Sequence, residues 1–333
     1  MYTHHYGLTA PPFQLTPDAR FWFDSRSHKK AMAYLGYGLA QGEGFITVTG
    51  EIGAGKSTLA AHLLATIDRE RLNAVSLVST QVEGDDMLRL AAQGFGLATE
   101  GLAKAQILDR VEQLLADQAA QGKRSLLIVD EAQSLATSAL EELRMLSNFT
   151  RQGRALLQIF LLGQPEFRDR LAADQGLEQL RQRVIATHHL DAMEPNEVEP
   201  YLVHRLAVAG WQGRPSFDSE AFAAIHGYTG GIPRRVNQLA NRILLYGAIE
   251  SLNRITAADV ESVATDMAAD RPQVGPTPQQ GSREPVADLA LERRIAQLEG
   301  RLEEQEVVLR RVLTLLVDWV ENTSAPGYRS NAA

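Results

Sequence analysis

Residues 50–57 read Gly-Glu-Ile-Gly-Ala-Gly-Lys-Ser, and few folds can accommodate that run. The spacing Gly-x4-Gly-Lys-Ser requires a strand ending just before the first glycine and a helix opening at the lysine. Both flanks comply. Residues 45–49 are Phe-Ile-Thr-Val-Thr, apolar and β-branched, and residues 56–67 carry a helical period. In a strand–loop–helix of this kind, backbone N–H groups converge on phosphate oxygens and the helix start adds its positive dipole end. The predicted cradle is Gly50, Glu51, Gly53, Ala54 and Gly55, followed by Lys56, Ser57 and Thr58. Lys56 is placed to reach the β- and γ-phosphates of ATP, and Ser57 to ligate Mg²⁺.

Short apolar runs recur at 74–78, 125–129, 156–162 and, more weakly, 184–190. Helical patterns lie between and before them, at 27–39, 56–67, 85–95, 103–121 and 138–150. Strands that are apolar throughout and alternate with helices predict a parallel sheet covered on both faces. The fold class is therefore α/β, with a phosphate-loop sheet domain at 25–193. From 194 to 268 the strand signal stops and four helical segments follow, which predicts a small all-helical lid domain. Residues 1–24, rich in proline and aromatics, predict an extended segment packed on the core.

Residues 269–287 carry four prolines and two glycines among polar residues, a linker composition that buries too little apolar surface to order itself. Beyond it, Leu291, Ile295, Leu298, Leu302, Gln305, Leu309, Val312, Leu316 and Trp319 recur at spacings of three and four, the seam of a coiled-coil helix over 288–321. Its more apolar end at 312–317 is where a higher oligomer, a membrane surface or another protein is expected. Residues 322–333 read as a disordered tail.

The 333 residues include no cysteine and have a net charge of −8. Thiol chemistry and disulfide frameworks are excluded. The acidic balance argues against a broad positive field for nucleic acid. No run approaches 18 apolar residues and residues 1–13 lack the pattern of a secretory leader, so the expected location is cytoplasmic, with contact at the inner membrane surface as a variant. The eight histidines form no metal-binding motif.

Four apolar residues at 126–129 are followed by Asp130-Glu131-Ala-Gln133. Asp130 is expected to hold Mg²⁺ and Glu131 to polarise the attacking water. Gln164, after the run 156–162, is expected to orient that water against the γ-phosphate. Arg181 and Arg183 precede the fifth strand and are candidates to complete a neighbouring subunit's site. Arg234, at the start of a lid helix, is placed to swing over the nucleotide.

Phosphate loop, Asp-Glu pair, strand-end Gln164, paired arginines and the Gly-Ile-Pro-Arg234 helix, in that order, resemble the AAA+ ATPases. The opening Tyr6-Gly-Leu, Pro12-Phe, Leu15-Thr-Pro-Asp18, Phe21, Ser27-His28 and Ala31, running into Gly44-Phe and Thr49-Gly-Glu51, resembles the ExeA (GspA)-type secretion ATPases. Within these, it is most similar to ATPases associated with exosortase (PEP-CTERM) exopolysaccharide loci. The resemblance implies ATP bound between two domains with His28 near the base, activity as a homo-oligomer, and service to envelope secretion or exopolysaccharide export proteins. ExeA-type relatives carry a transmembrane helix and a periplasmic peptidoglycan-binding region, where this chain reads as linker and coiled coil, so peptidoglycan insertion is not expected. The same core resembles DNA transposition regulators, so the alternatives are an ATP-dependent DNA-binding regulator and a nucleotide-gated scaffold without catalysis. Lys29, Lys30, Arg151, Arg154, Arg234 and Arg235 are the basic candidates for DNA.

Overall fold

The computed structural model describes residues 2–16, 18–78 and 82–269. Five strands, β1 Phe45–Gly50, β2 Leu72–Val78, β3 Arg124–Asp130, β4 Leu157–Gly163 and β5 Val184–Leu190, lie side by side in the order β2-β3-β4-β1-β5. Every pairing is parallel. All strands therefore end at one pole, where β1 delivers residue 50, its neighbour β4 delivers Gln164, and β3 delivers Asp130. The expected α/β class is what the chain forms.

Central strands β1, β3 and β4 are buried almost throughout, whereas edge strand β5 is only partly covered. This is why 184–190 gives the weaker apolar signal: an edge strand shares its surface with solvent. Alternate side chains divide between two cores. On one face Leu127 and Val129 meet helices α3 (Gly84–Gly94), α4 (Lys104–Ala120) and α5 (Thr137–Leu146) through Met87, Leu115 and Leu140. On the other, Leu126 and Ile128 share a core with Leu35 of α1 (Arg26–Gln41) and Leu59 of α2 (Lys56–Thr66).

Two local expectations are revised. The helix predicted to reach 150 stops at Leu146, where Ser147 turns its hydroxyl back onto the Arg144 carbonyl at 2.7 Å. A hairpin pairing Thr150–Arg151 with Arg154–Ala155 follows, turned by Gln152 and Gly153 at φ 53° and 75°. The opening segment is not wholly extended. It contains a helical turn at Tyr2–His5 and a 3-10 turn at Ala19–Phe21 capped by Asp18.

After β4 come α6 (Pro165–Ala173) and a short helix Glu178–Arg181 before β5. Helices α7 (Pro195–Val208), α8 (Ser219–Thr229), α9 (Pro233–Ile249) and α10 (Ala257–Ala269) follow, tied by one two-residue parallel pairing of Ser216–Phe217 with Arg254–Ile255. Their shared core, including Leu202, Ile225, Val236 and Ile243, takes in Tyr6, Leu8, Phe13 and Phe21 from the opening segment. That segment thus straps the helical part before it enters α1. Residue 269, expected to open a linker, ends α10; the rest of the linker, the coiled-coil helix and the tail lie outside the described residues.

Candidate functional site

The loop 51–55 leaves β1 and turns into α2 with Gly53 at φ 86° and Gly55 at φ 104°, a region in which L side chains are strained. Both glycines are also short of space. A Cβ on Gly53 would lie 2.4 Å from Cβ of Arg234, and one on Gly55 would lie 2.6 Å from Nε2 of His28. Helix α9 and helix α1 therefore press on the loop from two sides, and glycine is the residue that fits between them.

Lys56 is buried, with Nζ donating to the carbonyls of Gly50 at 2.7 Å and Glu51 at 3.1 Å. Burial holds its ammonium pKa below the ordinary value, and the nearby charges of Glu131 and Asp130 pull it partly back. Ser57 Oγ donates to Asp130 Oδ2 at 2.5 Å. Hydroxyl and carboxylate thus meet from α2 and β3, the donor set that Mg²⁺ uses when phosphate and water supply its other ligands. No cluster of three or more His, Cys, Asp or Glu side chains suited to a metal occurs among the described residues.

Glu131 follows with φ 58°, and its N–H donates to Asp130 Oδ1 at 2.9 Å. Asp130 thereby points at Ser57 while Glu131 is turned to the cavity. Gln164 closes β4 and precedes Pro165, the first residue of α6, where a missing N–H costs nothing. Its Nε2 stands 3.5 Å from Glu131 Oε2. From the helical part, Arg234 donates its backbone N–H to the Gly53 carbonyl at 3.1 Å.

These groups surround one cavity of about 300 Å³, lined by Gly53, Gly55, Lys56, Ser57, Thr58, Glu131, Gln164, His28 and Arg234. Asp130 lies behind Ser57. The Arg181 and Arg183 side chains are elsewhere, near the N-terminal end of β5: Arg181 bonds the Ala172 carbonyl at 2.8 Å and pairs with Glu178, and Arg183 reaches Ser147 Oγ at 3.2 Å.

The cavity also has a wall that sequence reasoning left unassigned. Tyr201 and Arg205 of α7, Asn237 of α9 and Phe21 and Trp22 of the strap line it. Tyr201 donates to Asn237 Oδ1 at 2.8 Å, and the buried Arg205 donates from Nε to the Pro12 carbonyl at 2.7 Å while its guanidinium stands 4.8 Å from the Phe21 ring centre. The i, i+4 spacing of Tyr201 and Arg205 and the i, i+3 spacing of Arg234 and Asn237 were the available signals. His28 is buried beneath Trp22, with Nδ1 2.7 Å from Ser25 Oγ. Burial lowers its pKa to about 4, against the opposing pull of Glu197 and Asp24.

Of the basic candidates, Arg234 belongs to this cavity. Arg151 and Arg154 gather with Lys123 and Arg124 around a separate cavity of about 640 Å³, at the pole where the strands begin.

A parallel sheet with this strand order, a phosphate loop after its central strand and a helical part across the loop define an AAA-type P-loop nucleotide-binding fold. Residues 39–171 match the family described as AAA domain. The chain is related to General secretion pathway protein A of Aeromonas hydrophila, with 36% identity over 272 residues, 81% of this chain and 49% of that protein; it spans about half of that relative's length. Among solved structures it is similar to the Aeropyrum pernix ORC2 protein (TM-score 0.57, 15% identity, 77% of this chain and 71% of that one). It is also similar to Cdc6p of Pyrobaculum aerophilum (TM-score 0.56, 15% identity, 77% and 75%) and to a chain of Drosophila ORC bound to DNA (0.55, 17%, 78% and 66%). These structural likenesses describe the fold. No helix among the described residues is long and apolar enough to cross a membrane.

Proposed function

We propose that this chain is an Mg²⁺-dependent ATPase that hydrolyses ATP as an oligomer and serves envelope secretion, in the setting of exopolysaccharide export of the exosortase (PEP-CTERM) type. The observation that carries the hydrolytic reading is the division of labour between adjacent carboxylates: Asp130 is engaged by Ser57, while Glu131 faces the cavity beside Gln164. Ser57 and Asp130 would hold Mg²⁺, which neutralises charge on the phosphate oxygens. Lys56 exchanges its two loop carbonyls for β- and γ-phosphate oxygens. Glu131 takes the proton of the attacking water, and Gln164 aligns that water. Arg234 brings the lid domain, 194–268, down onto the sheet domain, 25–193, so that each turnover is read as a change of lid position. The relation to General secretion pathway protein A supports the secretion setting, with the protein working at the cytoplasmic face of the inner membrane.

Arg181 and Arg183 lie away from their own cavity, which supports a role in a neighbour's site. The test is phosphate release over a protein concentration series with mass measured by light scattering. Specific activity should rise with oligomer mass, and Glu131→Gln should bind ATP without turning it over. Wild-type turnover by Glu131→Gln would overturn the base assignment. Flat, near-zero activity with ATP bound would replace hydrolysis with a nucleotide-gated scaffold.

One observation favours a second reading, an ATPase that binds duplex DNA. Lys123, Arg124, Arg151 and Arg154 come from two stretches of the chain but surround one cavity, with Glu43 as its only acidic lining residue among the described residues. Salt-sensitive retention of a duplex that Arg151→Glu with Arg154→Glu abolishes would support it; no retention at low salt would remove it.

A further inference from the structure

Gln133 sits two residues beyond Glu131, in the 3-10 turn Ala132–Ser134. Its side chain has one acceptor end and one donor end, and both are used. Oε1 accepts the backbone N–H of Gln164 at 3.0 Å. Nε2 donates to Glu131 Oε2 in a close contact. A backbone N–H cannot reverse its polarity, so the end of the carboxamide that meets it must be oxygen, and the NH₂ must then face Glu131. The orientation follows from chemistry and not from an arbitrary choice between oxygen and nitrogen.

The second donor to that carboxylate, Gln164 Nε2 at 3.5 Å, approaches the same Oε2. Two amide donors therefore converge on one oxygen of Glu131, which reserves Oε1 for the water. The backbone of Glu131 is also held at φ 58°, ψ 39°, a left-handed conformation that a glutamate keeps only where its surroundings determine it. Gln133 lies in the turn that continues from this residue, so a single side chain ties the carboxylate to the end of β4.

We propose that Gln133 is a positioning residue that selects Glu131 Oε1 as the basic oxygen and couples Glu131 to the strand end carrying Gln164. The proposal rests on the ATPase reading above. It has a mechanical corollary: when Gln164 turns toward a γ-phosphate, Gln133 keeps the base in register with it, since Gln133 holds the backbone of Gln164 and not its moving side chain.

Three variants test this. Gln133→Ala removes both bonds. Gln133→Glu keeps an acceptor for Gln164 but places like charge against Glu131. Gln133→His restores one acceptor and one donor across the ring. The first two should lower kcat by about 10- to 100-fold, the range expected for a misplaced catalytic group, with KM and ATP affinity within about twofold of wild type. The histidine variant should recover most of kcat. Without nucleotide, hydrogen exchange at the Gln164 amide should be at least about tenfold faster in Gln133→Ala, because its acceptor is gone, while the thermal midpoint is kept. Added to Glu131→Gln, Gln133→Ala should cost nothing further, because it acts through that carboxylate.

A kcat for Gln133→Ala within twofold of wild type, an unchanged Gln164 amide, or independent losses in the double variant would each overturn the proposal. Failure of the ATPase reading is distinguishable. Wild type would then bind ATP without releasing phosphate, whereas the amide exchange reports on Gln133 without any turnover.

Discussion

Gly53→Ala probes the junction between phosphate loop and helix α9 most directly. The backbone there has φ 86°, and holding an L residue in that region costs about 1–2 kcal/mol. The added Cβ would stand 2.4 Å from Cβ of Arg234. That atom is fixed to the backbone of α9, so it cannot swing aside like the end of a long side chain. Restoring ordinary carbon–carbon contact requires the helix and loop to part by roughly 1 Å. Such a separation breaks the bond from the Arg234 N–H to the Gly53 carbonyl, worth about 0.5–1.5 kcal/mol. Together the two effects come to about 1.5–3.5 kcal/mol, or a roughly 10- to 400-fold change in an equilibrium constant.

Where that loss appears depends on whether the loop relaxes without nucleotide. A loop that relaxes shows it as weaker binding, and a rigid loop shows it as a lower midpoint of unfolding. The assay is therefore paired: titration with a fluorescent ATP analogue, and urea unfolding of the nucleotide-free protein. The two losses should total the stated range, with part of the effect absent in an Arg234→Gly background, where the clashing Cβ is gone. If affinity and stability both stayed within threefold of wild type, the loop and α9 would not be in contact in solution, and the role given to Arg234 would fall with that contact.

Two further outcomes are expected. His28 has its pKa lowered to about 4 from an ordinary 6.5, so between those values the unfolded chain binds a proton that the folded chain refuses; stability is complete above 6.5 and falls as pH drops toward 4. From pH 7 to 4.5 the loss attributable to His28 should be about 2–3 kcal/mol, measured as the difference in urea unfolding between wild type and His28→Gln, whose curve should be correspondingly flatter. Arg205→Ala should destabilise by about 2–4 kcal/mol, by leaving the Pro12 carbonyl and the Phe21 ring without the buried guanidinium. Limited proteolysis should then cut between residues 7 and 24 before it cuts elsewhere; uniform resistance would show that Arg205 does not hold the strap.

Much of the site is local in sequence. A glycine-rich turn between an apolar strand and a helix is a short-range object, and Lys56, Ser57, Asp130 and Glu131 could be placed from their own neighbours. Gln164 was placed by its position at the end of an apolar run, and the structure sets it beside Glu131. The helix end at Leu146 is not legible in the sequence, because a serine back-bond and a two-residue turn with positive φ leave little trace in periodicity. Gln133 carried no role because its partners are one residue two positions away and one on another strand.

What the sequence by itself determined is the main strands and helices and the form of the phosphate loop, since hydrophobic period and glycine conformation act over a few residues. Only the tertiary structure decided which distant groups share a cavity. The order β2-β3-β4-β1-β5 puts the ends of β3 and β4 beside the loop, and the packing of Phe13 and Phe21 against α7 and α9 brings Trp22, Tyr201, Arg205 and Asn237 around the same space. Those arrangements arise from burying apolar surface between segments up to about two hundred residues apart, a free energy that depends on area and shape and leaves no motif in any one of them.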